Sequence, residues 1–377
     1  MALINYELRS RIDDAGRLRV WLEELEVAAP AADEVVVQVE AAPLNPSDQI
    51  LLFGPADPKT LKQTGSAAFP VIEGQVPAER LPAISGRLGQ ALPVGNEGAG
   101  TVVSAGDAAK HLVGRQVAIR AATGTYSRYQ TVKAAACLLL PEGVSAREGA
   151  AACINPLTAL GMVETLRREG HRALVHTAAA SNLGQMLNRQ CLADGVPLVN
   201  IVRSQAQVSL LHEQGARYVI DSSADHFQDA LVAALDETGA TLAFDAIGGG
   251  TMAATILSAM EKVAARRLST YSRYGSPTHK QVYIYGGLDP SPRVLDGQFG
   301  MAWGVGGWLM TWFYDRIGSD AAAPLLKRAA DELTTTFASQ FSDEIGLAEM
   351  LSLDAIRAYT RRATGEKFLV LPQQDRA

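Results

Sequence analysis

Residues 174–186 read LVHTAAASNLGQM, and this stretch decides the fold. An apolar, strand-like run enters a string of small residues, and an apolar, amphipathic stretch typical of a helix follows. A dinucleotide-binding domain has its glycine-rich phosphate turn at such a position. The early glycines of the G-x-G-x-x-G pattern are absent here, and only Gly184 remains. The stretch is therefore either a phosphate-binding loop built from other small residues or an ordinary turn between a strand and a helix.

Strand and helix patterns alternate around and beyond this stretch. Short apolar runs predict strands at 173–178, 197–203, 218–222, 241–247 and 282–287, and a sixth strand at 305–312. Helical stretches separate the runs. Such alternation predicts an α/β fold, a doubly wound parallel sheet with helices on both faces.

The N-terminal part of the chain follows a different pattern. Its short valine-rich runs, separated by Gly, Pro and Asp, predict a compact, barrel-like β domain. Residues 55–93 interrupt these runs, are rich in Pro, Gly and Ala, and predict a long surface excursion that covers a cleft. The segment 351–372 predicts a helix and then a final strand.

Composition limits the classes of protein to consider. The 377 residues suit two domains, and no apolar run approaches the ~18 residues that a membrane span needs. The start, MALINYELRS, lacks the layout of a secretion signal, and a net charge of −6 gives no reason to expect nucleic-acid or membrane binding. Three widely spaced cysteines favour free thiols in a reducing compartment. We expect a cytoplasmic protein that acts on a small molecule.

The loop meets the main physical requirement of a phosphate turn, which is close approach of the backbone. Ala180 and Ser181 are small, Ser181 and Asn182 add hydrogen-bond donors, and Gly184 allows the next helix to pack closely on the strand. A turn that binds nothing would look much the same, so the loop alone leaves both interpretations open.

The second strand of the sheet favours the binding interpretation. Dinucleotide folds place an acidic residue there for a free ribose 2′-hydroxyl, or an arginine for a 2′-phosphate. This strand has no acid and ends in Arg203-Ser204, about twenty residues beyond the loop. Arginine binds phosphate through two parallel hydrogen bonds, and Ser204 adds a hydroxyl donor. The pattern favours NADPH over NADH.

A series of short motifs continues this pattern over nearly the whole chain. They are LNPSDQILLFG (44–54), PVGNEGAGTVVSAG (93–106), GTYSRYQTV (124–132), INPLTA (154–159), HTAAASNLGQ (176–185), NIVR (200–203), FDAIGG (244–249), VYIYGG (282–287) and TGEKFLVLP (364–372). In order and spacing they resemble the medium-chain dehydrogenase/reductases, in the zinc-free branch of quinone oxidoreductases and mitochondrial-type enoyl thioester reductases.

The resemblance implies a domain plan and a set of site residues. A GroES-like, β-rich catalytic domain is expected at 1–155, a Rossmann domain for NADP(H) at 156–315, and a return to the catalytic domain at 316–377. The implied cofactor-binding residues are Thr158, Ala180, Ser181, Asn182, Leu183, Gly184, Arg203, Ser204, Tyr218, Ile247, Gly248, Tyr285, Gly286, Gly287 and Lys367. The apolar strand VGGWLMTWF (305–313) is expected to pair with its twin, which gives a homodimer.

The resemblance also indicates which chemistry to expect. Zinc-dependent relatives need a thiolate and an imidazole where this chain has Pro46-Ser47-Asp48 and Asn96. We therefore expect no zinc, and alcohol dehydrogenase chemistry ranks last. Hydride transfer to a quinone or an α,β-unsaturated carbonyl or enoyl compound needs only the cofactor, oxyanion donors and a proton.

One departure from the resemblance bears on the proton donor. Enoyl reductases carry a tyrosine a few residues after N-P-x-D, where this chain reads LLFGP (51–55). Tyr126 is the nearest substitute, with Tyr129 beside it, and Asn45 is the second candidate catalytic residue. Two insertions, 55–93 and 263–281, leave the substrate open. The alternative function is an NADPH-binding protein with little turnover.

Overall fold

The computed structural model describes residues 3–121, 123–361 and 364–374. The chain divides into two compact units, which we call the β-rich unit (residues up to 154 and from 329) and the parallel-sheet unit (155–328). The first division lies next to the boundary expected at 155. The chain leaves the parallel-sheet unit after Arg328, whereas the return was expected at 316. The helix at 310–317 belongs to this unit, and its Tyr314 hydroxyl donates to the Leu157 carbonyl at 3.1 Å.

The described residues form strands and helices with the following bounds. The strands are β1 (Ile4–Ile12), β2 (Arg17–Glu26), β3 (Glu34–Pro43), β4 (Lys62–Gly65), β5 (Pro70–Gln75), β6 (Leu92–Pro93), β7 (Glu97–Ala105), β8 (Gln116–Arg120), β9 (Tyr129–Lys133), β10 (Cys137–Leu139), β11 (Leu174–His176), β12 (Leu198–Val202), β13 (Tyr218–Asp221), β14 (Leu242–Asp245), β15 (Lys280–Ile284), β16 (Trp303–Gly307), β17 (Asp343–Ile345) and β18 (Phe368–Val370). The α-helices are α1 (Pro46–Phe53), α2 (Ala146–Gly149), α3 (Asn155–Arg168), α4 (Asn182–Asp194), α5 (Gln205–Glu213), α6 (Phe227–Thr238), α7 (Met252–Arg266), α8 (Met310–Ile317), α9 (Ser319–Asp331) and α10 (Leu353–Thr360). Short 3₁₀ helices span Pro58–Thr60, Ala78–Arg87, Asp107–Leu112, Ala134–Ala136 and Glu349–Leu351.

The β-rich unit contains two sheets. One has the strand order β4-β5-β2-β1-β6, and the other has the order β10-β8-β7-β3-β18-β17 with β9 paired to β3. Alternate valines explain how the strands form a core, since Val35, Val37 and Val39 of β3 are fully buried. The helix and final strand expected in 351–372 are present as α10 and β18.

The excursion expected at 55–93 is more regular than its sequence indicates. It contains β4 and β5, and β5 continues the first sheet by pairing with β2, with Val20 opposite Ile72. Ile72 is fully buried in the core. A covering loop was therefore the wrong description of this part: pairing with the open edge of β2 turns the segment into a hairpin.

The parallel-sheet unit confirms the predicted α/β class. Its strands follow the order β13-β12-β11-β14-β15-β16, and each neighbouring pair is parallel. The sixth strand ends earlier than expected, since β16 stops at Gly307 and α8 begins at Met310. Trp308 lies between them and packs against Phe313, and its indole donates to Thr165 at 3.1 Å. Among the described residues, every helix is too short or too polar to cross a bilayer.

Candidate functional site

The small-residue loop forms a tight turn between β11 and α4. Ala178 has φ 50° and is alone among the described non-glycine residues in having a positive φ. Ser181 is the N-cap of α4, and its hydroxyl accepts the Gly184 amide at 3.1 Å. A Cβ on Gly184 would lie 2.2 Å from the Ala179 carbonyl oxygen, so only glycine fits. Strained backbone and a compulsory glycine at a helix start favour a ligand-binding turn over an ordinary one.

Arg203 lies just after the carboxyl end of the neighbouring strand β12. Its side chain is exposed, and no described residue forms a hydrogen bond or an ion pair with its guanidinium. Its backbone amide donates to the Gln207 side chain at 3.0 Å, which fixes the backbone there. Ser204 caps α5 by accepting from the Gln207 amide. The guanidinium is therefore free to bind an anion without losing a partner.

Asp245, at the end of β14, organises the backbone that follows. Its carboxylate accepts the Thr177 hydroxyl at 2.7 Å and the amides of Ile247 and Gly248 at 2.9 and 3.1 Å. Gly286 lies against this segment, since a Cβ there would be 2.5 Å from the Ala246 carbonyl oxygen. Asp245 thus ties the end of β11 to the turn after β14. Asp245 stands in the FDAIGG motif but is not among the cofactor-binding residues that the resemblance implies.

Tyr285 lies just beyond β15 and forms a hydrogen bond with His176, the last residue of β11. The hydroxyl and His176 Nε2 are 2.7 Å apart, and the rings stack at 5.8 Å. Burial lowers the pKa of His176 to about 3 and raises the pKa of Tyr285. His176 is therefore neutral at physiological pH, and the pair is a fixed neutral contact at the strand ends.

Most of the implied cofactor residues gather at one edge of this sheet. The segments 180–184, 203–204, 247–248 and 285–287 follow the carboxyl ends of β11, β12, β14 and β15, where open parallel sheets bind ligands. Ala180 and Gly184 are buried, Asn182 and Leu183 are half-buried, and Ser181 and Gly287 are exposed. Thr158 is buried in the first turns of α3.

Tyr218 does not lie with these residues at the carboxyl edge of the sheet. This residue opens β13, so it lies at the amino end of its strand rather than at the carboxyl edge. Its hydroxyl is 3.2 Å from Glu237, near the end of α6. The sequence showed a tyrosine beside a strand but not which end of the strand it occupied.

A polar cluster occupies the interior of the β-rich unit. The side-chain Nδ2 of Asn45 donates to Glu97 at 2.9 Å. The Asp48 carboxyl accepts the backbone N–H of Asn45 at 2.8 Å and the Tyr126 hydroxyl at 2.9 Å. Glu97 also accepts the amides of Cys153 and Ile154. All the side chains of Asn45, Asp48, Glu97 and Tyr126 are buried. The cluster thus connects the N-P-x-D segment with the two motifs that follow it.

This placement contradicts the role expected for Tyr126. Its ring is fully buried among core side chains, and its hydroxyl donates to Asp48 and the Pro43 carbonyl. Burial, and then the charge of Asp48, raise the pKa of Tyr126 well above its usual value. Tyr126 therefore holds Asp48 in place and is not presented to a substrate. Asn45 is likewise occupied with Glu97, and a catalytic role for it stays a prediction.

Burial dominates the electrostatics of the cluster. It raises the pKa of Asp48 to about 7 and raises the pKa of Glu97. Lys367 belongs to the same unit, and burial lowers its pKa while the charges of Glu97 and Asp48 oppose that shift. Its Nζ is buried, forms no hydrogen bond with a described residue and lies 5.5 Å from the Phe341 ring centre. Lys367 therefore compensates the buried carboxyls, and the sequence alone does not indicate Asp48 and Glu97 as its partners.

The residues at the zinc-ligand positions bond to one another. Asn96 Nδ2 donates to the Ser47 hydroxyl at 3.0 Å, and the Asn96 amide donates to Asp48 at 3.0 Å. In the described part of the chain, no group of three His, Cys, Asp or Glu side chains is arranged to hold a metal ion.

The chain is similar to known oxidoreductases. No protein-family model matches it. A solved structure of a proposed NADPH:quinone reductase from Mesorhizobium loti is 25% identical, covers 99% of this chain and 100% of its own, and has a TM-score of 0.73. The mitochondrial enoyl-[acyl-carrier-protein] reductase of Rattus norvegicus is 26% identical over 208 residues, which is 53% of this chain and 48% of the relative. A mycocerosic acid synthase-like polyketide synthase of Mycolicibacterium smegmatis is 27% identical over 231 residues, 60% of this chain and 10% of the relative.

The aligned regions span about half of the rat protein and a tenth of the synthase. A second solved structure, of a proposed NADPH:quinone reductase from Bacillus thuringiensis, has a TM-score of 0.74 at 17% identity and shows likeness of fold, covering 98% of this chain and 99% of its own. The prediction from the motifs is confirmed: the chain shares the fold of the medium-chain dehydrogenase/reductases and resembles their NADPH:quinone reductases and enoyl reductases.

Proposed function

We propose that this chain is an NADPH-dependent oxidoreductase that reduces a quinone or an α,β-unsaturated carbonyl or enoyl compound without zinc. The observation that carries the proposal is the exposed guanidinium of Arg203, unpaired among the described residues, at the strand next to the loop 178–184. A ribose 2′-phosphate is the anion for which such an arginine is suited. The names of the similar proteins support the same reaction class.

The residues at this edge of the sheet fit the cofactor. Gly184 lets the start of α4 pack directly against the Ala179 carbonyl, and the start of α4 offers amides to a phosphate group. Asp245 holds the turn at 247–248, and the stacked His176–Tyr285 pair gives a rigid surface at the strand ends. The nicotinamide group supplies hydride when it is bound. The protein's part is to bind and orient that group.

Zinc independence is proposed from the donor chemistry of the β-rich unit. Where zinc-dependent relatives need a thiolate and an imidazole, this chain has Pro46-Ser47-Asp48 and Asn96, and the Asn96 side chain bonds to the Ser47 hydroxyl. Reduction of a conjugated acceptor does not depend on a Lewis acid to the extent that alcohol oxidation does. Elemental analysis of protein purified without chelator tests this point, and one zinc ion per chain would contradict it.

A second function is favoured by the burial of Tyr126. Because the nearest substitute for the enoyl-reductase tyrosine, Tyr126, is buried and engaged with Asp48, it is not placed to protonate an enolate. A protein that binds NADPH with little turnover fits that feature. Quinones differ from enoyl compounds here, since a reduced quinone takes its protons from water.

One experiment separates these functions. NADPH oxidation is followed with a panel of quinones, enones and enoyl thioesters, in parallel with NADPH binding by fluorescence. Turnover of quinones supports the reductase. Tight binding with no turnover on any acceptor supports the binding protein, and absence of NADPH binding contradicts both.

We further propose that the chain works in the cytoplasm as a homodimer. The edge position of β16 supports the dimer, since among the described strands this one pairs with β15 alone. The free thiols of Cys137, Cys153 and Cys191 fit a reducing compartment.

A further inference from the structure

An open groove of about 750 Å³ lies on the outer face of the sheet that contains β4, β5, β2 and β1. None of its lining residues belongs to the strand-end site or to the polar cluster. Its charged lining residues are Arg11, Asp13, Arg17, Arg19, Lys62 and Glu73. Lys62 and Glu73 come from the hairpin in 55–93, the insertion to which the proposed function gives no role.

The register of the strands places four of these residues in one row. Arg11 of β1 lies opposite Arg19 of β2, Arg19 lies opposite Glu73 of β5, and Glu73 lies opposite Lys62 of β4. All four are exposed, while Ile12, Leu18 and Ile72 on the other face are buried. Since neighbouring strands are about 4.8 Å apart, the row extends roughly 14 Å across the sheet.

The row carries an excess of positive charge, with three cations and one carboxylate. Like charges directly opposite on neighbouring strands are destabilising, and Arg11 and Arg19 form such a pair. Arg17 is neutralised by Asp13 at 2.7 Å. Arg11, Arg19 and Lys62 form no ion pair with a described carboxylate, and the Arg19 guanidinium lies 5.2 Å from the Trp21 ring centre. Glu73 lies opposite Arg19 and Lys62 but not Arg11, so the row keeps a net positive charge in a chain whose net charge is −6.

Such a row suits a ligand with more than one negative group. Two opposed guanidiniums offer several N–H donors to one phosphate, and phosphate is the anion that the guanidinium fork matches. Lys62 lies two strands away from Arg19, about 10 Å, where it meets a second negative group.

We propose that this groove binds a soluble small molecule that carries two or more phosphate groups. One phosphate lies between Arg11 and Arg19, and another meets Lys62. The site is separate from cofactor binding and does not rest on the proposed function. The insertion 55–93 builds it by adding β4 and β5 to the sheet.

Binding of inorganic tripolyphosphate to the full-length chain tests the proposal. Calorimetric titration at about 0.15 M salt limits nonspecific attraction of exposed charges. We expect saturable binding, weakened about tenfold or more in Arg11→Gln/Arg19→Gln and to a smaller degree in Lys62→Gln. These side chains are exposed, so the variants should fold as the parent does, and circular dichroism verifies this.

Two matched variants locate the site. Arg115→Gln removes an exposed cation of the same unit outside the groove, and Arg203→Ala removes the cation at the strand-end site. Both should bind tripolyphosphate as the parent does, and NADPH oxidation should be unchanged in the groove variants. Absence of binding, an equal loss in Arg115→Gln, or a loss confined to Arg203→Ala would each overturn the proposal.

Discussion

Replacing Arg203 by alanine should remove most of the preference for NADPH over NADH. A hydrogen bond between charged groups contributes about 1.5–3 kcal/mol, and the exposure of Arg203 argues for the lower end of that range. At about 1.4 kcal/mol per factor of ten, NADPH binding should weaken about tenfold, and at most about 100-fold. NADH lacks the 2′-phosphate, so its affinity should barely change. Because no described side chain pairs with the guanidinium, stability should be unaffected.

Titration of both cofactors into the parent and the variant, followed by nicotinamide fluorescence, measures this effect. Arg217→Ala is a matched control, since Arg217 is an exposed arginine of the same unit that precedes β13 and pairs with Glu237 at 3.2 Å. It should alter neither affinity. Equal losses for NADPH and NADH in Arg203→Ala would show that the arginine stacks on adenine or acts through the fold, and that it does not read the phosphate.

Four further changes test other parts of the structure. Gly184→Ala places a Cβ 2.2 Å from the Ala179 carbonyl oxygen, so both cofactor affinity and the thermal midpoint should fall, and an unchanged protein would contradict the tight turn. Since burial raises the pKa of Asp48 to about 7, the folded protein retains a proton that the unfolded chain loses near pH 4. The free energy of unfolding should therefore decrease as the pH rises from 4 to 7. Urea unfolding should show a smaller decrease over this range in Asp48→Asn. Arg87→Ala removes the hydrogen bonds that Arg87 donates to the carbonyl groups at the end of α1, and the free energy of unfolding in urea should fall by about 1–3 kcal/mol. An unchanged free energy would show that water replaces these bonds fully. Light scattering at micromolar concentration should give a dimer mass that Trp303→Lys shifts toward the monomer, and a monomeric parent would refute pairing through β16.

The parallel sheet was predictable because its signals are local. Each strand from β11 to β15 is a short apolar run. The residue types that follow β11 and β12 are those that phosphate-binding turns use, so they could be recognised from the sequence. Carboxyl ends of parallel strands share one edge, so the order of the motifs was enough to bring the loop at 180–184 and Arg203 to neighbouring strands. The end of β16 was predicted too late, because an apolar residue such as Trp308 is compatible both with a strand and with the segment before a helix.

The hairpin of β4 and β5 within 55–93 was not predictable from its amino-acid sequence. Every residue of β4 is exposed, so the strand has no apolar alternation to reveal it. Its pairing with β5 depends on the edge that β2 offers, which is a property of the assembled sheet. The row of charges follows from the same register. Arg11, Arg19 and Lys62 are far apart in sequence, and only strand pairing shows that they share one face.

The polar cluster shows where reasoning from residue type failed. A tyrosine in a β hairpin was expected to serve a substrate, because the resemblance requires a hydroxyl donor and Tyr126 is the nearest substitute for the missing tyrosine. In the structure the carboxyl of Asp48 takes that hydroxyl, since a buried carboxylate needs more donors than the backbone amides of Asn45 and Asn96 provide. The Tyr126 hydroxyl therefore serves as a hydrogen-bond donor to the buried Asp48 carboxyl and is not available at the surface. The same argument makes Tyr126 and Asp48 one unit, so Tyr126→Phe should disturb Asp48 even where no substrate is present.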